Sequence, residues 1–311
     1  MDTLRIRLRP LAAFGTPLAG DTLFGQLCWA VRERHGETQL TRLLEGYHQG
    51  QPFLVVSDGL PAGWLPKPML PEFLLGTEID PAERKALRQR NWLPADHAHL
   101  PLRDWVTRAS SVPTIERAVT TQNTINRLTG TTGSGPFAPR QVERQHWAGS
   151  EGVDLYCCID PERLDATQLA QLLGDIGQSG FGRDASTGLG KFSVSDITPH
   201  RWPTERSRHA LTLAPCAPDV TQLDARACYY APLTRFGRHG NFAATGLHPF
   251  KRPVLTLRSG AFLSFATEQA PLPAFHGTGL GGLAAPVSFT LPATVHQGYA
   301  PLVPLNAELH T

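Results

Sequence analysis

Lysine is scarce in this chain: four residues stand against 25 arginines. Nearly every basic group is therefore a planar guanidinium, which forks onto oxyanions and stacks on flat rings as an ammonium does not. Codon bias accounts for much of that ratio, since alanine, proline and glycine are also abundant. Cysteine is sparse and badly spaced for chemistry. The five residues, Cys28, Cys157, Cys158, Cys216 and Cys228, are odd in number, two are adjacent, and none forms a C-x-x-C pair. That excludes a disulfide framework or a zinc knuckle and leaves reduced, mostly buried thiols. No run approaches the roughly 18 apolar residues of a membrane span. The opening MDTLRIRLRP has no continuous apolar core of the kind a signal peptide needs, so a cytoplasmic location is expected. H-E-x-x-H and D-x-D are both missing, and neither a metal nor a cofactor is expected.

The net charge of +2 announces no polyanion partner, but its distribution is uneven. Residues 1–100 hold eleven basic and eleven acidic side chains, whereas 179–252 hold ten and five. With 311 residues the chain is long enough for two domains.

LRIRLRPL at 4–11 alternates strictly and reads as a half-buried strand. Its arginine face meets solvent, RNA or an acidic partner. Asp21 is placed to cap a helix running to about Arg34, with Leu23, Phe24, Leu27, Ala30 and Val31 as its core stripe. FLVVS at 53–57 is a second strand. The proline-laden SDGLPAGWLPKPMLP that follows excludes a central strand. Residues 72–108 read as a partly helical excursion, and 110–148 as a polar, glycine-rich stretch without sustained period. So long an irregular segment points to function or disorder. VDLYCCI at 153–159 is a strand. Asp165 and Gln168 then form a capping box for a helix that Gly177 ends, and KFSVSDI closes the unit.

With the excursion set aside, the order is β-α-β-β-α-β, the ferredoxin-like pattern of RNA-recognition domains. HALTLAP, ACYYAPL, RPVLTLRSGAFLSFA and GYAPLVPL restart it less regularly. The expected class is α+β: a ferredoxin-like (RRM-like) domain over 1–205 with an insertion at about 60–150, and a degenerate second one over 206–311.

The sharpest motif is GFGRDASTGLGKF at 180–192. Glycines permit positive φ and close backbone approach, so successive N–H groups are expected to cup a phosphate. Arg183 and Lys191 add charge there, and Ser186 and Thr187 add hydroxyls. Gly180-x-Gly182-x-x-Ala185 follows a helix instead of a strand, which excludes a dinucleotide fingerprint. Gly190-Lys191 is followed by Phe192, which excludes a P-loop.

This loop resembles the C-terminal glycine-rich loop of the RAMP superfamily of CRISPR proteins. FGTPLAGDTLFGQLCWAV at 14–31 is similar to the opening of one RAMP group, and NTINRLTGTTGSGPFAP at 123–139 to its Asn-x-Ile-x-Arg-x-Thr-Gly pattern. LPKPML, YYAPLTRFGRHG, HPFKRPVLTLRSGAFL and HQGYAPLVPL fit the same group, that of the fourth subunit of the type III-A Csm complex. The resemblance implies a subunit without nuclease activity that caps a filament of backbone RAMP subunits. It also implies a hold on the 5′ repeat-derived tag of the crRNA and docking of the large polymerase-like subunit. Ala19 stands where members often carry Ser or His, so no side-chain contact follows at that position.

The candidate RNA contacts are then Thr16, Gly20 and Asp21 in the opening motif, and Asn123, Asn126, Arg127 and Phe137 in the irregular stretch. Gly180, Gly182, Arg183, Ser186, Thr187, Gly188, Gly190 and Lys191 belong to the glycine-rich loop. Lys251 and Arg252 sit on a proline-framed turn. Thr121 and Thr129 add donors; Asn123 and Asn126 serve equally as turn residues. The rival reading is a RAMP endoribonuclease with a histidine general base, His35 being the candidate at a helix end. Asp104 reads as a solvated or capping group.

Overall fold

In the computed structural model, which describes residues 1–76, 84–112, 114–148, 151–204 and 206–310, the alternation at 4–11 becomes β1 (Asp2–Pro10). Leu4, Ile6 and Leu8 are buried on one face. The arginine face is largely committed within the protein: Arg7 forks onto the buried Asp154 at 2.8 and 3.0 Å, and Arg5 lies 3.6 Å from Asp196. Arg9 alone of the three stays exposed.

Helix α1 (Gly20–His35) buries the expected stripe, Leu23 to Val31, and α2 (Glu37–Leu44) follows it. Strands β2 (Leu54–Val56) and β3 (Leu60–Pro61) come next. The insertion carries β4 (Trp64–Pro66), α3 (Arg84–Gln89), β5 (Trp92–Pro94) and α4 (Leu102–Thr107). The prolines at 61 and 66 end strands of only two and three residues, as their missing N–H requires. The stretch read as aperiodic is instead a long hairpin, β6 (Thr114–Gln122) and β7 (Arg140–Ala148), paired from Thr114↔Ala148 to Gln122↔Arg140. Both its faces are mostly exposed, so no apolar alternation marks it.

The chain returns through β8 (Val153–Ile159), α5 (Ala166–Ser179) and β9 (Phe192–Pro199). The capping box forms: Gln168 N–H donates to Asp165 Oδ1 at 2.8 Å, and Asp165 N–H to Gln168 Oε1 at 3.1 Å. Gly177 does not end the helix; Gly180 does. Gly177 sits inside α5 because a Cβ there would lie 2.2 Å from the Phe192 carbonyl oxygen, so it serves close packing on β9. The sheet order is β2-β8-β1-β9, with β3 also on β8 and every pair antiparallel. The β-α-β-β-α-β succession read from the sequence is present in this half.

The second half does not repeat it. Strands β10 (Ser207–Thr212), β11 (Pro232–Arg235), β12 (Val254–Leu257), β13 (Phe262–Gln269), β14 (Phe275–Gly281) and β15 (Val295–Leu305) follow, with no α-helix among the described residues. Four of them form a sheet in the order β13-β10-β15-β14, and β11 pairs with β12. The expected boundary residue, 205, lies outside the described residues. The halves share a core: Tyr299 of β15 packs with α1 and the first sheet, and Tyr156 of β8 packs with Leu211, Phe262 and Val303. Gln297, fully buried, caps the open edge of β2, accepting from Val56 N–H at 2.9 Å and donating to Val56 O at 2.8 Å. An amide side chain thus supplies what a further strand would.

Candidate nucleic-acid interface

The glycine-rich loop leaves α5 through Gly180, with positive φ at Gly180, Gly182, Asp184, Gly188 and Gly190. It is not an open cup. The N–H groups of Phe181, Thr187, Gly188, Leu189 and Gly190 donate to carbonyls of Gly190, Asp184, Ala185, Asp184 and Ala13. Phe181, Leu189, Gly180 and Gly190 are buried. This narrows the expected N–H cradle: those five N–H groups are satisfied within the protein, and the loop closes on itself through the Phe181–Gly190 bond. What faces outward is side chain, the exposed Arg183, Ser186, Thr187 and Lys191.

Arg183 joins three elements. Its N–H donates to Thr16 Oγ1 at 2.9 Å and its Nη2 to the Glu143 carbonyl of β7 at 2.9 Å. Lys191 O accepts from Leu11 and Ala12 N–H, and Phe14 exchanges backbone bonds with Gln145. The loop at 11–16, the glycine-rich loop and the middle of the hairpin therefore form one surface. Gly182 lies against Thr16, where a Cβ would approach to 2.6 Å.

Gly20 and Asp21 do not belong to that surface. Gly20 is buried because a Cβ would meet the Val56 carbonyl at 2.3 Å, and its N–H donates to Asp58 Oδ1 at 2.8 Å. Asp21 caps nothing, since Ala19 is the N-cap residue. Its side chain is 1% exposed and paired with Arg235 of β11 at 2.6 Å. His296 Nε2 lies 3.4 Å from Asp21 Oδ2, an ion-pair separation without a formed hydrogen bond. Burial pushes the Asp21 carboxyl upward, but His296 and Arg235 outweigh it and hold it well below the usual carboxylate range. Asp58 beside it is pushed up to about 7, by burial first and by Asp21 in addition. These are structural roles, and they remove Gly20 and Asp21 from the candidate RNA contacts.

Asn123, Asn126, Arg127 and Phe137 lie beyond the last hairpin pair, at its tip. Asn126 is a turn residue: its Oδ1 accepts from Leu128 N–H at 2.9 Å, and its N–H donates to Thr131 O at 3.0 Å. Asn123 and Arg127 are exposed and Phe137 is partly buried. Glu143, at the glycine-rich loop, pairs with Val119. Three residues of strand, about 10 Å, separate that level from the tip. Lys251 also turns inward. Its ammonium is desolvated near Cys28 and Asp21, and the burial holds it below the usual lysine range. Arg252 is exposed, its guanidinium 4.3 Å over the Phe289 ring.

His35 stands exposed in the last turn of α1 with no hydrogen-bond partner among the described residues. Asp104 lies 3.5 Å from Arg103. Among the described residues no group of three or more His, Cys, Asp or Glu could hold a metal ion, and no helix is long and apolar enough to cross a membrane. All five cysteines are free thiols.

No family model matches the chain, and no curated protein matches it. Solved structures do, and they share its mixed helix-and-sheet fold. A chain in the crystal structure of the Csm1–Csm4 cassette in complex with pppApA is 18% identical with a TM-score of 0.60, over 100% of this chain and 99% of that one. A chain of the same cassette in complex with cA4 gives 18% and 0.60 over 100% of both. A chain of the Csm3–Csm4 subcomplex in the type III-A CRISPR–Cas interference complex gives 13% and 0.59, over 98% of this chain and 100% of that one. The sequence resemblance to the Csm group thus has its counterpart in a fold shared from end to end.

Proposed function

We propose that this chain is a non-catalytic effector subunit that grips the 5′ repeat-derived tag of a crRNA, caps a filament of backbone subunits and docks a large polymerase-like subunit. The observation that carries this reading is the pair of bonds from Arg183 to Thr16 and Glu143. They fuse a glycine-rich loop, carrying Ser186, Thr187 and Lys191 on its exposed side, to a hairpin whose tip presents Asn123, Arg127 and Phe137. Single-stranded RNA is held by such cationic and hydroxyl tracks along its backbone, with rings beside them for unstacked bases. The fold's neighbours, chains of Csm1–Csm4 and Csm3–Csm4 assemblies, support the choice of protein partners.

Affinity for a single-stranded RNA carrying the repeat tag, measured against salt, tests the reading. Each lost phosphate contact lowers the log–log slope by about 0.7, so Arg127→Glu and Arg183→Glu should each reduce both slope and affinity. Binding indifferent to salt and to both reversals would make the chain a pure protein scaffold. Metal-independent cutting of repeat RNA that His35→Ala abolishes would make it the endoribonuclease instead.

A further inference from the structure

Three guanidinium groups lie over aromatic rings in the second half and α1. Arg32 sits 5.3 Å from Trp29 and 5.1 Å from Phe242, Arg238 is 5.7 Å from Phe250, and Arg252 is 4.3 Å from Phe289. Phe250, Arg252 and Phe289 line an open cavity of about 320 Å³ together with Leu247 and His248, and Arg238 adjoins it only through its contact with Phe250. That volume lies at the lower end of the roughly 300–1,000 Å³ of small-ligand sites. Phe250 and Phe289 are 60% and 62% exposed, an unusual state for two rings flanking one hollow.

The walls are braced from behind. The buried His239 Nε2 and Ser288 Oγ are 2.7 Å apart. His239 N–H donates to Pro249 O, Arg252 N–H to Val287 O, and Thr290 Oγ1 to His248 O. Rings held by such supports offer preformed flat surfaces. Carboxylates are sparse in this stretch of the sequence: Glu268 is the only one between Asp224 and Glu308. Among the described residues neither Arg238 nor Arg252 has a carboxylate partner, so both positive charges remain available.

We propose that this cavity takes one unstacked base of a single-stranded RNA, stacked on Phe289 and Phe250, with the flanking phosphates on Arg252 and Arg238. The proposal rests on the RNA-binding reading above but gives the strand a second foothold, on residues outside the hairpin and the glycine-rich loop. Flat rings and unpaired guanidinium groups favour a base with its phosphates over an acidic peptide, which has no π-face to stack.

The test uses the full-length chain and a single-stranded oligoadenylate carrying 2-aminopurine, whose fluorescence falls on stacking. The wild type should bind and quench the probe. Phe289→Ala and Phe250→Ala, both at exposed positions, should each lose the quenching and about five- to 150-fold in affinity, the cost of one stacked base. Arg252→Gln should lower the salt slope by about 0.7. Wild-type quenching and affinity in the phenylalanine variants would overturn the cavity assignment alone, and is the result expected if a protein partner covers this face. A wild-type chain that binds no RNA would overturn this proposal and the function above together.

Discussion

Arg235 grips Asp21 with Nε and Nη2, at 2.6 and 2.7 Å, across 214 residues of sequence. The pair locks the first turn of α1 to β11, and Arg235 Nη2 also donates to Thr22 Oγ1 at 2.8 Å. Arg235→Ala would strand a carboxylate that water cannot reach, a loss of about 3 kcal/mol in urea unfolding at neutral pH. Arg235→Lys should recover only part of it, since an ammonium cannot fork onto both oxygens. Because the folded state depresses the Asp21 pKa, its stabilisation is present above the unfolded value of about 4 and is lost as pH falls through the lower folded one. The acid limb of the stability profile should therefore flatten in Asp21→Asn.

Asp58 behaves in the opposite sense. Its carboxyl is pushed up to about 7 in the fold, whereas an unfolded aspartate titrates near about 4. Between those values the folded chain binds the extra proton, so stability declines as pH rises from about 4 through about 7. Asp58→Asn keeps the oxygen that accepts from Gly20 N–H at 2.8 Å and removes the titration. Thermal unfolding of the variant should lose that decline, with its largest gain over wild type at pH 8. A wild-type slope in the variant would show that another group causes it.

These two carboxylates mark where the sequence stopped being readable. LRIRLRPL, the stripe of α1 and the Asp165–Gln168 box are local patterns, and each became the element expected. Asp21 looked like a cap because a cap needs only its neighbours, while its true partner comes from the far half of the chain. The hairpin at 114–148 escaped because its strands bury almost nothing: Val119 is exposed and only Val142 is buried. β14, FHGTGLG, has the glycines of a turn. They are needed in a strand, since a Cβ at Gly277 would lie 2.3 Å from the Gly298 carbonyl and one at Gly279 would lie 2.7 Å from Tyr47. The glycine-rich loop was located correctly, but the use of its N–H groups depends on Ala13 and on the fold of the loop itself.

Two glycines of that loop should separate conformational strain from steric clash. Gly188 has φ 97° with open space around it, and Gly190 has φ 70° with the Phe181 carbonyl oxygen 2.1 Å from a built Cβ. Gly188→Ala should cost about 1–2 kcal/mol, the left-handed penalty alone. Gly190→Ala should cost several-fold more, because the obstacle is backbone that also accepts no displacement without breaking the Gly190–Ala13 and Phe181–Gly190 bonds. Chemical denaturation of the two variants measures the difference. Equal losses would mean that the loop is soft at its closing end.

The hairpin tip is the part of the proposed interface most separable from folding. The hydrogen bonds described for 123–139 close within that segment, from Asn126–Thr131 to Gly133–Phe137, and Leu128 is 97% exposed. Nothing in the core clusters comes from it. Replacing 123–139 with Asn-Gly, a two-residue type I′ turn matched to antiparallel strands, should preserve the Gln122↔Arg140 pair and leave the thermal midpoint nearly unchanged. Tag-RNA affinity should fall, and by more than Arg127→Ala alone causes, since Asn123, Arg127 and Phe137 leave together. If the shortened chain bound tag RNA as tightly as wild type, the strand would run along the glycine-rich loop and Arg183 without reaching the hairpin. If it unfolded, the tip would be bracing β6 and β7, a role that its self-contained bonding argues against.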